Sequence, residues 1–185
     1  MSGDNRLEQL ERKLQYLTDR LEVLDCIARY SRGCDRFDAE LVSNSFHEDG
    51  VDERGYDVNP GKKYGEHANA VHGVSCQQNM HNITTHLCEI DGDVAHAESY
   101  VIGLFLDNEG QTGRLISGRY VDRLERRDGE WKLALRRSTV DVLMTGDASA
   151  INSQFFKDMG YLKGARDKRD VSYQRPLTQE GGDRW

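Results

Sequence analysis

The sequence predicts an α+β domain, with helices first and an antiparallel meander of long strands after them. Three observations carry that reading. Leucines recur at alternating steps of three and four from Leu7 to Leu24, the spacing of one helix face. Residues 78–107 hold β-branched and aromatic residues around an Asp91-Gly92-Asp93 turn. Two further runs, 113–127 and 130–144, meet at Asp128-Gly129, a strong hairpin signal.

The leucine stripe comprises Leu7, Leu10, Leu14, Leu17, Leu21, Leu24 and Ala28, with Glu8, Glu11, Arg12, Lys13 and Arg20 on the wet faces. Asp19 with Glu22 resembles a capping pair, so one helix is expected to end near Tyr16 and another to begin at Thr18. Residues 1–17 would then be a helical arm whose leucines need a partner, most simply a neighbouring subunit. The second helix runs on through Tyr30 and Cys34, and Gly33 weakens its end. Asp35 follows, where the helix dipole disfavours an acid unless a compensating partner stands nearby.

A short helix is expected over 38–46, then turn-rich residues around one short strand, then a third helix over 65–78. Residues 18–145 make the domain. Residues 146–185 are poor in core residues and are expected to be disordered or draped over a neighbour.

Within the first long strand, simple alternation puts His81, Ile83, Thr85, Leu87 and Glu89 on one face, and Asn82, Thr84, His86, Cys88 and Ile90 on the other. Both faces are mixed. A pocket on one side and a subunit interface on the other would account for that, with His81 inside and His86 outside. On the last strand, Arg137 shares parity with Trp131, Leu133 and Leu135, whereas Arg136 shares it with Lys132 and Ala134.

Composition excludes several functions. With 185 residues and a net charge of −7, the chain has no basic excess with which to displace counterions from nucleic acid. No apolar run reaches membrane-spanning length, and the mean hydropathy is −0.76. The first fifteen residues lack an apolar signal core, so a cytoplasmic protein is expected. Cys26, Cys34, Cys76 and Cys88 form no C-x-x-C pair and are expected to be reduced thiols. His67 and His72 stand five apart, the wrong spacing for one helix face, so no metal site is expected. No phosphate loop, nucleophile elbow or dinucleotide fingerprint appears.

The candidates for chemistry are Tyr30, Asp35, His81 and either Arg136 or Arg137. An Asp that accepts a hydrogen bond from one imidazole nitrogen fixes the tautomer and leaves the other nitrogen as the base. In an apolar cavity such a pair can take a proton from carbon, provided a cation or donor stabilises the charge that develops.

Four stretches in order, LEVLDCIARYSRGCDRFD, MHNITTHLCEIDGDVAHAESY, GRYVDRLERRDGEWKLALRRSTVD and RDVSYQRPL, resemble the SnoaL-like branch of the nuclear-transport-factor-two-like superfamily. The resemblance covers Thr18 to Asp141, with the last stretch as a further shared feature. It implies a cone in which three helices pack on a curved, mostly antiparallel sheet around one deep pocket. It also implies an Asp–His dyad on Asp35 and His81, with Tyr30 from a Y-x(4)-D setting and Arg136 from the position after the W-K strand core. Thr85 and His86 depart from the family's usual polar residues.

The activity implied is a cofactor-independent, dehydratase-like elimination on a small hydrophobic cyclic or steroid-like substrate, in a homo-oligomer, with a trimer favoured. Isomerisation or polyketide cyclisation in the same pocket is one alternative. A non-catalytic small subunit of a ring-hydroxylating oxygenase, or a ligand-binding module, is another.

Overall fold

The computed structural model describes residues 3–185. Helix α1, Gly3–Asp35, is one continuous helix of 33 residues, roughly 50 Å long. The expected break near Tyr16–Thr18 is absent, because Asp19 has other work. Its Oδ1 accepts from Trp131 Nε1 at 2.9 Å, Arg126 Nη1 at 2.8 Å and Gln15 Nε2 at 3.0 Å. A buried Asp serving the sheet cannot also cap a helix. Beyond that anchor Val23, Cys26, Ile27 and Tyr30 are fully buried, whereas Leu7, Leu10, Leu14, Leu17 and Leu21 are each more than half exposed.

Gly33 sits where a side chain would strike Val42 Cγ2 at 2.6 Å, so this glycine permits the close approach of α2 (Ala39–Ser43). Strands β1 (Phe46–Arg54) and β2 (Asp57–Pro60) follow, then α3 (Gly61–Ser75), four residues earlier than expected. Strands β3 (Gln78–Asp91), β4 (Val94–Leu106), β5 (Thr112–Arg127) and β6 (Glu130–Ser138) form the meander, and β7 (Val142–Asp147) is separate from β6. Together they form a seven-stranded, curved and unclosed sheet in the order β2-β1-β6-β5-β4-β3, with β7 also on β5. Only β1 and β6 run parallel.

Two bulges decide which side chains face inward. In β3, His81 opposes Gly103 and Ile83 opposes Val101, but His86 then opposes Ser99. One extra residue has been inserted between Ile83 and His86, and it inverts the alternation. His81, Ile83, His86, Cys88 and Ile90 therefore share the concave face. The expected placement of His86 on the outer side is corrected by that bulge. Its Nδ1 meets the buried Ser99 Oγ at 2.9 Å. In β6, Leu133 opposes Leu124 while Leu135 opposes Arg123, so an extra residue lies at Ala134. Arg136 is thereby turned inward and is fully buried, and Arg137 stays outside, paired with Glu53 at 2.8 Å.

Residues 146–185 lie against their own domain rather than away from it. Gln78 Nε2 donates to Gly164 O at 2.7 Å, Lys168 pairs with Asp38 at 2.7 Å, and Arg32 Nη2 donates to Ser172 Oγ at 3.1 Å. A short helix, α4 (Gln154–Asp158), lies within this segment.

Candidate active site

The concave side of the sheet and α3 enclose a cavity of about 650 Å3. Its walls are Ala68, Val71, Val101, Phe105, Ile116 and Val140, with Tyr64 and Tyr120 at its base. The polar groups that reach it are His81, His72, Ser75, Arg54, Arg114, Ser138 and Thr139, with Asp57 and His67 paired at 3.0 Å.

Asp35, the last residue of α1, meets His81 near the start of β3. Its Oδ2 accepts the His81 backbone N–H at 2.9 Å, and its Oδ1 lies 2.7 Å from His81 Nδ1. Asn79 Nδ2 also donates to Oδ1, at 3.1 Å. These donors supply the compensation that an acid at a helix C-terminus needs. With Asp35 Oδ1 accepting the hydrogen bond from Nδ1–H, the lone pair is left on Nε2. Among the described residues Nε2 has no protein partner, and the ring lines the cavity. Gly103, opposite His81, contributes no side chain there, and the Phe105 ring fills that space, edge-on to His81 at 5.7 Å.

Tyr30 and Arg136 sit one layer deeper and do not line the cavity. Arg136 binds Asp122 through two hydrogen bonds of 2.8 and 2.6 Å and is sandwiched by Tyr30 and Tyr120, with ring centroids at 4.1 and 4.0 Å. Burial opposes its charge, but Asp122 more than offsets this and holds the guanidinium above its ordinary range. Tyr30 donates to Asp52 Oδ2 at 2.9 Å and accepts from Arg54. Burial keeps its hydroxyl protonated far into the alkaline range. The cation that actually reaches the cavity wall on this side is Arg54, paired to Asp52 at 3.0 Å and stacked on Tyr64.

Sequence reasoning missed Arg54, His72 and Arg114. His72 comes from α3 and packs beside His81, with centroids 5.7 Å apart. Burial first, and then the positive groups around it, push its pKa down to about 3, so it is a neutral imidazole at ordinary pH. The period of five from His67 argued against one helix face, and nothing in it revealed a cavity. Of the remaining histidines, His47 is bound to Glu125 O at 2.8 Å and is structural. Among the described residues no group of three metal-ligating side chains occurs, and no helix is long and apolar enough to cross a membrane.

Solved structures resemble this chain closely in fold. A protein of unknown function from Mycobacterium tuberculosis is 31% identical, with a TM-score of 0.61 over 69% of this chain and 74% of that one. A hexachlorocyclohexane dehydrochlorinase from Novosphingobium barchaimii is 21% identical, with a TM-score of 0.67 over 72% of this chain and 94% of its own. A protein described as a putative scytalone dehydratase, from Novosphingobium aromaticivorans, is 19% identical, with a TM-score of 0.63 over 71% and 89%. At the lower identities the likeness shows the fold alone. No functionally curated protein matches the sequence. The SnoaL-like domain model matches residues 15–137, from the middle of α1 through Arg137 in β6. The chain therefore belongs to the SnoaL-like domain family.

Proposed function

We propose that this protein is a cofactor-independent lyase that eliminates water, or another leaving group, from a small hydrophobic cyclic substrate. One observation carries the reading: the 2.7 Å contact between Asp35 and His81 Nδ1, with the opposite nitrogen open to an apolar cavity. His81 Nε2 takes a proton from carbon beside a carbonyl. The C–H electron pair moves toward that carbonyl, then forms the new double bond as the carbon–oxygen bond breaks. The imidazolium returns its proton to the departing oxygen, so water leaves and neutral His81 is restored.

Asp35 supports this by fixing the tautomer and stabilising the imidazolium between the two transfers. Arg54, a cation on the wall of the same cavity, steadies the developing oxyanion in this scheme. Tyr30 and Arg136 act as positioning residues in this scheme. Tyr30 holds Arg54 with Asp52, and Arg136 buttresses Tyr120 from behind.

If the imidazolium instead returns its proton to another carbon, the same residues perform an isomerisation. Product analysis on cyclic β-hydroxy ketones and steroid enones separates the two outcomes. Loss of water supports elimination, and a shifted double bond at constant mass supports isomerisation. Unchanged turnover in both His81→Ala and Asp35→Asn would contradict the dyad in either case. The exposed leucine stripe on α1 supports a homo-oligomer, with a trimer favoured by the family resemblance. Four buried, unpaired thiols support a reducing, cytoplasmic setting.

A further inference from the structure

The net charge of the chain is −7, yet two guanidinium groups, Arg54 and Arg114, line the cavity that holds His81, and a third, Arg166, lies close behind it. Arg54 is balanced by Asp52 at 3.0 Å. Arg166, from the C-terminal segment, stays behind the wall, stacked on Phe37 at 4.1 Å and donating to His72 O at 3.3 Å. Arg114 differs from both. It lines the cavity, and among the described residues no carboxylate stands within ion-pair distance of it.

Arg114 comes from β5, on the same inward-facing row as Ile116, Gly118 and Tyr120. Its Nη2 donates to Ser75 O, the last carbonyl of α3, at 3.2 Å. A cation suits a helix C-terminus, so this contact has a structural value of its own. It occupies only one of the five N–H donors that a guanidinium carries. Arg114 is half-buried, so its remaining donors can pair with an anion that enters the cavity. The depressed titration of neighbouring His72, caused first by burial and then by surrounding groups that include Arg114, agrees with a positive field there.

The spacing suits a ligand that touches both groups. Phe105 neighbours both, its ring centroid 5.7 Å from the His81 ring and 5.7 Å from Arg114 Cζ. A cyclic ligand whose carboxylate meets the Arg114 fork would bring its apolar ring against Phe105, the neighbour that Arg114 and His81 share.

We propose that the cavity takes a cyclic, apolar carboxylic acid, with its carboxylate paired to the Arg114 guanidinium and its ring against Phe105. Placing the reactive C–H at His81 rests on the lyase reading above; the carboxylate pairing does not. Arg114 is thereby a specificity-determining residue, and it separates acids from neutral molecules of the same shape.

Calorimetric titration with naphthalene-2-carboxylate and its isosteric carboxamide tests this. The wild-type protein is expected to bind the acid about tenfold or more tightly than the amide, and the gap should narrow as salt is raised. Arg114→Gln should bring the ratio close to one while leaving the amide affinity within about twofold, and Arg114→Lys should retain part of the preference. His81→Ala should keep the preference, so a failed catalytic reading and a failed anion site give different results. Equal binding of acid and amide, no binding of the acid, or an acid preference that survives in Arg114→Gln would overturn the assignment.

Discussion

Asp35 holds His81 at two points, the backbone N–H on Oδ2 at 2.9 Å and the ring Nδ1 on Oδ1 at 2.7 Å. The first contact ties the start of β3 to the end of α1, and the second sets which nitrogen faces the cavity. Asp35→Asn keeps the size of the side chain and loses its charge. Its kcat is expected to fall about 10²–10⁴-fold with KM changed only a few-fold, read by steady-state kinetics on a confirmed substrate. An equal loss carried entirely by KM would assign Asp35 to binding instead.

Arg136 and Asp122 are both fully buried at the side chain and bind through two parallel hydrogen bonds. Arg136→Met strands an unpaired carboxylate and should cost about 3–5 kcal/mol in urea unfolding. The double change Arg136→Met with Asp122→Leu should recover most of that, because no uncompensated charge remains. A double variant as unstable as the single one would show that the aromatic sandwich, and not the charge, dominates.

His72 gives a pH dependence whose sign can be worked out. Its pKa in the folded chain is about 3, against an ordinary value of 6.5. Between those values the unfolded chain holds more protons than the folded one, so the contribution of this residue to stability declines as pH falls. The slope is at most about 1.4 kcal/mol per pH unit. His72→Gln should therefore lose stability less steeply than wild type from about pH 6 to about pH 4. Parallel stability curves for the two proteins would contradict this.

The first helical turns carry leucines with no covering partner among the described residues. Leu10→Glu combined with Leu17→Glu is expected to lower the mass measured by light scattering at micromolar concentration. It should leave the far-ultraviolet circular dichroism nearly unchanged. A constant mass would remove the leucine stripe from the assembly.

The helix-then-meander order and the ends of β3, β4 and β5 were legible in the sequence because they follow from periodicity and Asp-Gly turns. By contrast, β1 and β2 were read as one short strand, and β6 and β7 as one run. Side-chain direction within β3 and β6 was not. Counting by twos from His81 sends His86 outward, and counting from Trp131 sends Arg136 outward. A single inserted residue at each bulge reverses both, and no residue type near Thr84, Thr85 or Ala134 announces the insertion. Asp19 misled for a different reason, since its capping pattern is local while its partners Arg126 and Trp131 lie more than a hundred residues away. Arg54, His72 and Arg114 come from separate elements and converge only when the sheet curves. Their role had no local signature.

The central claim is that His81 removes a proton from carbon. Deuterium exchange followed by proton NMR tests it most directly, with cyclic β-hydroxy ketones and steroid enones incubated in heavy water. The wild-type protein is expected to exchange or eliminate the proton beside the carbonyl of at least one of these compounds. His81→Ala should be slower by about 10²-fold or more while remaining folded. Equal exchange rates in the two proteins, or none above the buffer rate in either, would contradict the claim.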